Sequence, residues 1–259
     1  MSGVTEAERA AAGRWLAKHG VEVPTMTDLL ASRLGFRAGA RPPGWWRWFA
    51  VALLGFVAAT IGFTSLGSLP GVRGGELTGS SYVFFLIIAQ HLGYWLPARV
   101  RDRQALARYG TLGGPPRTEV FGWFLAVPVV TFGGGAALAV TIFATTPFRT
   151  YAGSWLLLLV VGAAVTAAMV TDVQRRPVIA EDATSRAVDT ALRPHDLLTA
   201  LPAVYAVPVL VDPLVGDAQP PQWRPWLFGY VALAVAMQVV VGVAQRRRVR
   251  AALGEIGGR

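Results

Sequence analysis

The hydrophobic residues of this chain are concentrated in six runs separated by shorter, more polar connections. The runs cover residues 48–67, 81–98, 120–144, 154–173, 197–211 and 226–245. An α-helix needs about 20 apolar residues to cross the ~30 Å hydrocarbon layer of a membrane, and all runs except the fifth come close to this length. The pattern therefore predicts an all-α, polytopic membrane protein with six transmembrane helices. The composition agrees, because 53% of the 259 residues are hydrophobic and only 15% are charged.

The distribution of Lys and Arg predicts how the chain is oriented. Residues 1–44, the second and fourth connections and the basic tail 246–259 are rich in these residues. The other three connections hold one each, namely Arg73, Arg149 and Arg224. Positive charge in short loops is retained on the cytoplasmic side of a membrane. We therefore expect a multi-pass protein of the bacterial cytoplasmic (inner) membrane, with both the N-terminus and the C-terminus in the cytoplasm.

The fifth run, 197–211, is the shortest of the six. As an α-helix it would be about 22 Å long, and both Pro202 and Pro208 interrupt helical hydrogen bonding. If it did not cross, the basic tail would lie outside the cytoplasm, against the pattern of every other connection. We expect a kinked or partly unwound crossing, which is either a mobile, ligand-facing element or a short helix packed against its neighbours.

The cytosolic N-terminal region, residues 1–44, is predicted to contain two short helices. Thr5 and Glu8 have the spacing of a capping box at the start of the first helix, and Gly20 ends it. The second helix, over 26–36, has an apolar face and carries Arg33 and Arg37. It either lies on the membrane with these arginines at the lipid phosphates or packs on the cytosolic ends of the spans.

A third cytosolic helix is predicted between the fourth and fifth runs. Asp182 and Arg186, like Asp189 and Arg193, are four residues apart, the spacing that lets opposite charges pair on one helix face. This segment is the candidate docking helix for a cytosolic partner. Just before it, Asp172 is expected to form a solvated pair with Arg175 or Arg176 at the membrane surface.

Polar side chains within the runs define one candidate intramembrane site. His91 and Gln238 both lie about 15–18 Å along their helices, near the middle of the bilayer. Gln90, Tyr94 and Tyr205 are the further candidate members, and Thr60, Thr131 and Thr166 fall at a similar depth. One hypothesis is a set of interhelical hydrogen bonds worth about 1 kcal/mol each. A second is a site that contacts protons or substrate, with His91 as the titrating group. The third is that these side chains do not meet.

Several kinds of chemistry find no support in the sequence. The chain has no Cys and only three His residues, so a zinc or haem site is not expected, and Asp212 and Asp217 are too few oxygen ligands for a calcium site. Gly133–Gly135 lies inside the third run, where glycines permit close packing or local unwinding rather than phosphate binding. No catalytic triad or nucleic-acid recognition helix is recognisable. We expect no enzymatic activity, no cofactor and no nucleic-acid partner.

With 23 Arg against a single Lys, and with the segment 180–192, the chain resembles uncharacterised multi-pass membrane proteins of high-GC actinobacteria. Some of these look as if they accompany transcriptional regulators or ABC ATPases, but the resemblance implies no functional residue. We therefore expect a non-catalytic membrane subunit or accessory of a transport or export system. The alternative is a scaffold or sensor that recruits a cytosolic partner through its N-terminal region. Besides the lipid bilayer, the partners implied are a cytosolic ATPase or a regulator, and a homo-oligomer is compatible with either function.

The predicted topology can be tested with single cysteines, because the natural chain has none. Cysteines replacing Gly71 and Asp217 should react with an impermeant thiol reagent in intact cells, whereas cysteines replacing Gly110 and Glu255 should not. Labelling of position 255 from outside would show that the fifth run does not cross the membrane.

Overall fold

The computed structural model describes residues 4–21, 23, 25–41, 44–111, 121–215 and 218–257, and these residues contain helices and turns but no strand. Ten α-helices occur within these ranges: α1 Glu6–Lys18, α2 Asp28–Arg37, α3 Trp45–Ser65, α4 Ser81–Tyr109, α5 Phe121–Pro128, α6 Gly135–Thr145, α7 Arg149–Arg175, α8 Ala183–Thr199, α9 Asp212–Val215 and α10 Arg224–Gly257.

Six helical segments of the described residues are long and apolar enough to cross a membrane, which confirms the predicted fold class. They are Trp45–Ser68, Ser81–Tyr109, Phe124–Thr145, Arg149–Arg175, Ala183–Val215 and Pro221–Arg247. The helices extend beyond the predicted runs because basic residues continue them past the apolar part: α4 runs on to Tyr109 and is capped by Gly110, and α10 runs on to Gly257. The predicted start of the third run, residue 120, lies outside the described residues.

The third span is interrupted by a π-helical turn at Val129–Gly134, between α5 and α6. The hydroxyl of Tyr230 donates a 2.6 Å hydrogen bond to the carbonyl of Thr131 within this turn. A Cβ on Gly135 would lie only 2.8 Å from that hydroxyl oxygen. The glycines therefore allow both the unwinding and the close approach of α10, as the sequence predicts.

The fifth span contains no α-helix at its centre. After α8 ends, Leu201 takes a left-handed conformation (φ 31°), and 3-10 turns follow at Pro202–Tyr205 and Val207–Leu210. We call residues 201–211 the unwound segment. A 3-10 helix rises about 2.0 Å per residue, so these residues extend about 22 Å instead of the roughly 16 Å of an α-helix. The unwound segment is therefore longer than the same residues would be as an α-helix, and Ala183–Val215 as a whole is long and apolar enough to cross a membrane.

The N-terminal helices form a second hydrophobic core with the first half of α8. Thr5 and Glu8 make the predicted capping box at the start of α1. Leu16 of α1, Leu34 of α2 and Leu192 of α8 are all fully buried against one another. The hypothesis that α2 lies on the membrane is therefore wrong, because its apolar face is covered by protein. We call the end of the bundle that carries α1, α2 and the start of α8 the basic end.

The crossing of α1 and α2 depends on Gly35. An added Cβ at this position would lie 2.6 Å from the backbone oxygen of Glu8, so the two helices would have to move apart. At Gly13, also in α1, an added Cβ meets nothing within 4 Å.

We expect Gly35→Ala to lower the free energy of unfolding by about 1–3 kcal/mol, because overpacking outweighs the gain in helix propensity. Gly13→Ala should leave stability unchanged or raise it by up to about 1 kcal/mol. Equilibrium unfolding of the purified protein in detergent provides the measurement. Equal effects of the two substitutions would contradict the described helix crossing.

Candidate functional site

A cavity of about 920 Å³ runs from the basic end toward the middle of the bundle. Its walls come from α1, from the end of α2, from α4, from α8 and the unwound segment, and from α10. The residues of α4 that line it are Ile87, Gln90, His91 and Tyr94, and those of α8 and the unwound segment are His195, Leu198, Thr199, Leu201 and Val204. The lining combines apolar side chains with charged and polar ones, and polar groups within an apolar wall are common in small-molecule sites.

At the deep end of the cavity, His91 forms a hydrogen bond with Tyr205. The Nδ1 atom of His91 and the hydroxyl oxygen of Tyr205 are 2.9 Å apart, and the tautomer of His91 decides which of the two donates. Both side chains are buried. The Tyr205 ring lies in a gap left by Gly162 of α7, where a Cβ would approach it to 3.0 Å. This pair lies about 15 Å along α4 from its start.

The other predicted members of this site form no hydrogen bond with His91 in the described structure. Gln90 and Tyr94 line the same cavity, and the Tyr94 ring stacks on Phe36 of α2 at 5.6 Å between centroids. Gln238 accepts a long, 3.5 Å hydrogen bond from the backbone N–H of Ala203 in the unwound segment. The structure thus brings together His91 and Tyr205, and it places Gln238 beside the same segment.

The threonines do not form a continuous polar layer across the bundle. The hydroxyl of Thr60 donates to the carbonyl of Phe56 in its own helix. The hydroxyls of Thr131 and Thr166 are buried and have no partner among the described residues.

The mouth of the cavity carries positive charge. Arg14 and Lys18 of α1 and Arg246 of α10 line it, together with His19 and His195. Arg14, Lys18 and Arg246 make no ion pair with any described residue, and no Asp or Glu of the described ranges lines the cavity. Three acidic residues of this end of the molecule pair with arginines in the interior.

They are used in a buried ion cluster that fixes the N-terminal helices to the bundle. We use this name for seven side chains: Arg33, Arg37, Asp102, Arg176, Asp189, Arg193 and Asp196. Asp102 of α4 accepts hydrogen bonds from three of the arginines, at 3.0 Å from Arg33, 2.9 Å from Arg37 and 2.7 Å from Arg176. Each of these groups is almost fully buried. One carboxylate thereby joins α2, α4 and the end of α7.

The two other carboxylates of the ion cluster bring in α8. Asp189 pairs with Arg33 at 2.6 Å and with Arg193 at 3.2 Å. Asp196 receives two hydrogen bonds from Arg37, at 2.7 and 2.9 Å. The expectation that Arg33 and Arg37 reach lipid phosphates is therefore wrong, because the carboxylates on the neighbouring helices hold both of them.

The ion cluster contains four arginines and three aspartates, so its formal net charge is +1. Burial alone would lower the pKa of Arg37, but the adjacent Asp102 and Asp196 carboxylates raise it well above its ordinary value. Arg37 therefore stays charged. The Nε and Nη2 atoms of Arg176 are buried and have no partner among the described residues. Beside them lies a second, small cavity of about 20 Å³, enough for about one water molecule.

The helix predicted between the fourth and fifth runs is present as α8, but two of the four residues proposed for docking, Asp189 and Arg193, face inward. Asp189 and Arg193 make their predicted pair inside the ion cluster. Asp182 accepts the backbone N–H of Ser185 as the N-cap of α8 and forms no ion pair with Arg186 in the described structure. Asp182 and Arg186 remain exposed on the outer face of α8.

Two further carboxylates have structural contacts that differ from those predicted. Asp172 pairs with Arg99 at 2.6 Å rather than with Arg175 or Arg176. Asp212 is buried at the end of the bundle opposite the basic end, where Thr78, the Ser80 backbone N–H and Tyr151 donate to it. Asp217 lies outside the described residues. No group of three metal-ligating side chains occurs in the parts of the chain that the structure describes.

Comparison of the chain with protein-family models, with curated proteins and with solved structures gave no match.

The contact between His91 and Tyr205 can be measured with a double-mutant cycle. We expect Tyr205→Phe and His91→Leu each to lower the free energy of unfolding by about 1 kcal/mol, and their effects to be non-additive because they remove the same hydrogen bond. His91→Gln should cost less, since it keeps a polar group. Thr60→Val is the control, because its hydroxyl bonds only within α3. Additive effects of the two substitutions would show that the side chains do not interact.

Proposed function

We propose that this chain is a membrane component of a transport or export system of the bacterial cytoplasmic membrane, with its basic end in the cytoplasm. The observation that carries the proposal is the cavity, which leads from the basic end to the His91–Tyr205 pair at mid-depth. A purely structural bundle has no need of such a space, because apolar membrane helices normally pack against one another.

The unwound segment supports a transport role. Backbone groups without helical partners are tolerated at membrane depth only where they meet protein or line a cavity. Here the segment forms one wall of the cavity, and Gln238 supplies a partner for the Ala203 N–H. Interrupted helices at mid-depth are the usual position of substrate sites in transporters.

The contacts of Asp212 support a cavity that is closed toward the outside. This carboxylate ties the starts of α4 and α7 together at the end opposite the basic end. Between it and the cavity, the Tyr205 ring packs against Phe84 and Phe132. We propose that the described state opens only toward the basic end, as expected for one state of an alternating-access cycle.

The exposed face of α8 is the surface that we propose for a partner ATPase. Asp182, Arg186 and Thr190 lie on it, one helical turn apart, while the opposite face is fixed by the ion cluster. A partner bound here would act directly on α8, which continues into the unwound segment. The competing scaffold function would instead use the outer surface of α1 and α2.

Single cysteines at cavity positions test the proposed access route. We expect Gln90→Cys and Val204→Cys to react with an impermeant thiol reagent in inside-out vesicles but not in right-side-out vesicles. Val239→Cys, on the exposed apolar face of α10, should be protected in both. Protection of both cavity positions in inside-out vesicles would contradict the proposal.

Affinity purification from cross-linked membranes distinguishes the two functions. The transport proposal predicts a stoichiometric partner with ATP-hydrolysing activity, which is lost in Asp182→Arg, Arg186→Glu and retained in Arg73→Glu. A soluble regulator that binds through residues 1–44 and is unaffected by the α8 changes would favour the scaffold function.

A further inference from the structure

The cavity combines two environments that a single type of ligand would satisfy. Its mouth carries the cations Arg14, Lys18 and Arg246, which form no ion pair with described residues. Its deeper walls are mostly apolar, including Ile87, Leu198 and Val204. A small inorganic anion would leave the deeper walls unused, and a neutral apolar molecule would leave the cations unpaired.

The positive charge at the mouth of the cavity is stronger evidence for an anionic ligand than the overall basicity of the chain. Basic residues are expected on the cytoplasmic side of any membrane protein. Here, however, five acidic residues of the same end are held away from the cavity, three in the ion cluster and two in the pairs of Arg99 with Asp172 and of Arg101 with Glu8. None of the described acidic residues lines the cavity, so its potential is positive without local compensation.

The depth and size of the cavity set the shape of the ligand. Along α4 the lining extends from Tyr94 to Ile87, seven residues or about 10 Å. The volume of about 920 Å³ is at the upper end of the range for small-molecule sites. At the deep end, the exposed carboxamide of Gln90 and the His91–Tyr205 pair supply hydrogen-bonding groups.

We propose that the cavity binds an anionic amphiphile, with a phosphate or carboxylate head at Arg14, Lys18 and Arg246 and one apolar chain along Ile87, Leu198 and Val204. This inference deepens the proposed function by naming the class of substrate. Binding itself requires neither transport nor a partner ATPase.

Matched alkyl ligands test both halves of the proposal. Native mass spectrometry of the full chain, in nanodiscs of zwitterionic lipid, should show one bound dodecyl phosphate per chain. Dodecylphosphocholine has the same chain without net charge, and inorganic phosphate has the charge without the chain. Both should bind at least about tenfold more weakly. Equal binding of dodecylphosphocholine would overturn the role of the cations, and equal binding of phosphate would overturn the role of the apolar walls.

Substitutions locate the ligand. The triple variant Arg14→Gln, Lys18→Gln, Arg246→Gln should weaken dodecyl phosphate binding at least about tenfold, since each exposed charge contributes modestly. Arg103→Gln, Arg108→Gln, Arg175→Gln is the control, because it removes the same charge from exposed positions that do not line the cavity. Val204→Trp should also weaken binding by filling the chain region. Equal loss in the two triple variants would overturn the assigned site.

Two sources could supply such a ligand, and the lipid composition distinguishes them. Competition by anionic phosphatidylglycerol in the nanodisc would assign the site to a membrane lipid, whereas binding of dodecyl phosphate unaffected by this lipid would assign it to an amphiphile from solution. If positions 90 and 204 are accessible but no anionic amphiphile binds, this inference fails and the proposed access route stands. If positions 90 and 204 are inaccessible, the proposed function is contradicted, whatever the result of the binding experiment.

Discussion

Three carboxylates buried at the basic end are the constraint on which the rest of the arrangement depends. Burying an unpaired carboxylate costs several kcal/mol, and its attraction to a cation offsets this only when the geometry is close and the remaining lone pairs are bonded. Asp102 meets this requirement through three arginines from two different parts of the chain. Neither the carboxylate nor its partners can be moved alone, so α2, α4, the end of α7 and α8 are held in one register.

The fixed arrangement of these helices also positions the walls of the cavity. Because Asp189 and Asp196 fix α8 to α2, the end of α8 and the first residues of the unwound segment are positioned relative to α1. The ion cluster therefore fixes the positions of two walls of the cavity mouth. Arg37 is the one residue of the ion cluster that also lines the cavity. The same pairs hold Asp102, Asp189 and Asp196 away from the cations of the mouth, which have no carboxylate partner among the described residues.

Much of the membrane-spanning fold could be predicted from the sequence, because the apolar runs and the prolines carry local information. Pro202 and Pro208 indicated an unwound crossing, and Gly133–Gly135 indicated the loosened third span. The helix around 26–36 was also predicted, but its surroundings were not. An apolar helix face flanked by arginines has the same pattern whether it meets lipid or protein.

The ion cluster depends on pairings that are distant in the chain, which explains why it was missed. Arg33 and Arg37 are four residues apart, and Asp189 and Asp196 are seven apart, so each pair lies on one helix face. That match of spacing is the signal that could have been used. It does not indicate which helix meets which, since Arg33 and Asp189 are separated by 156 residues. Similarly, the cations of the mouth come from opposite ends of the sequence.

Amide hydrogen exchange of α1 and α2 tests most directly whether the ion cluster holds these helices on the bundle. In Asp102→Asn, one partner of several buried pairs is lost, which costs about 3–5 kcal/mol. We predict that exchange in α1 and α2 becomes at least roughly 100-fold faster while the middle of α7 stays protected. Asp28→Asn, which breaks only the exposed pair with Arg9, should leave exchange unchanged. Wild-type protection of α1 and α2 in Asp102→Asn would contradict the account.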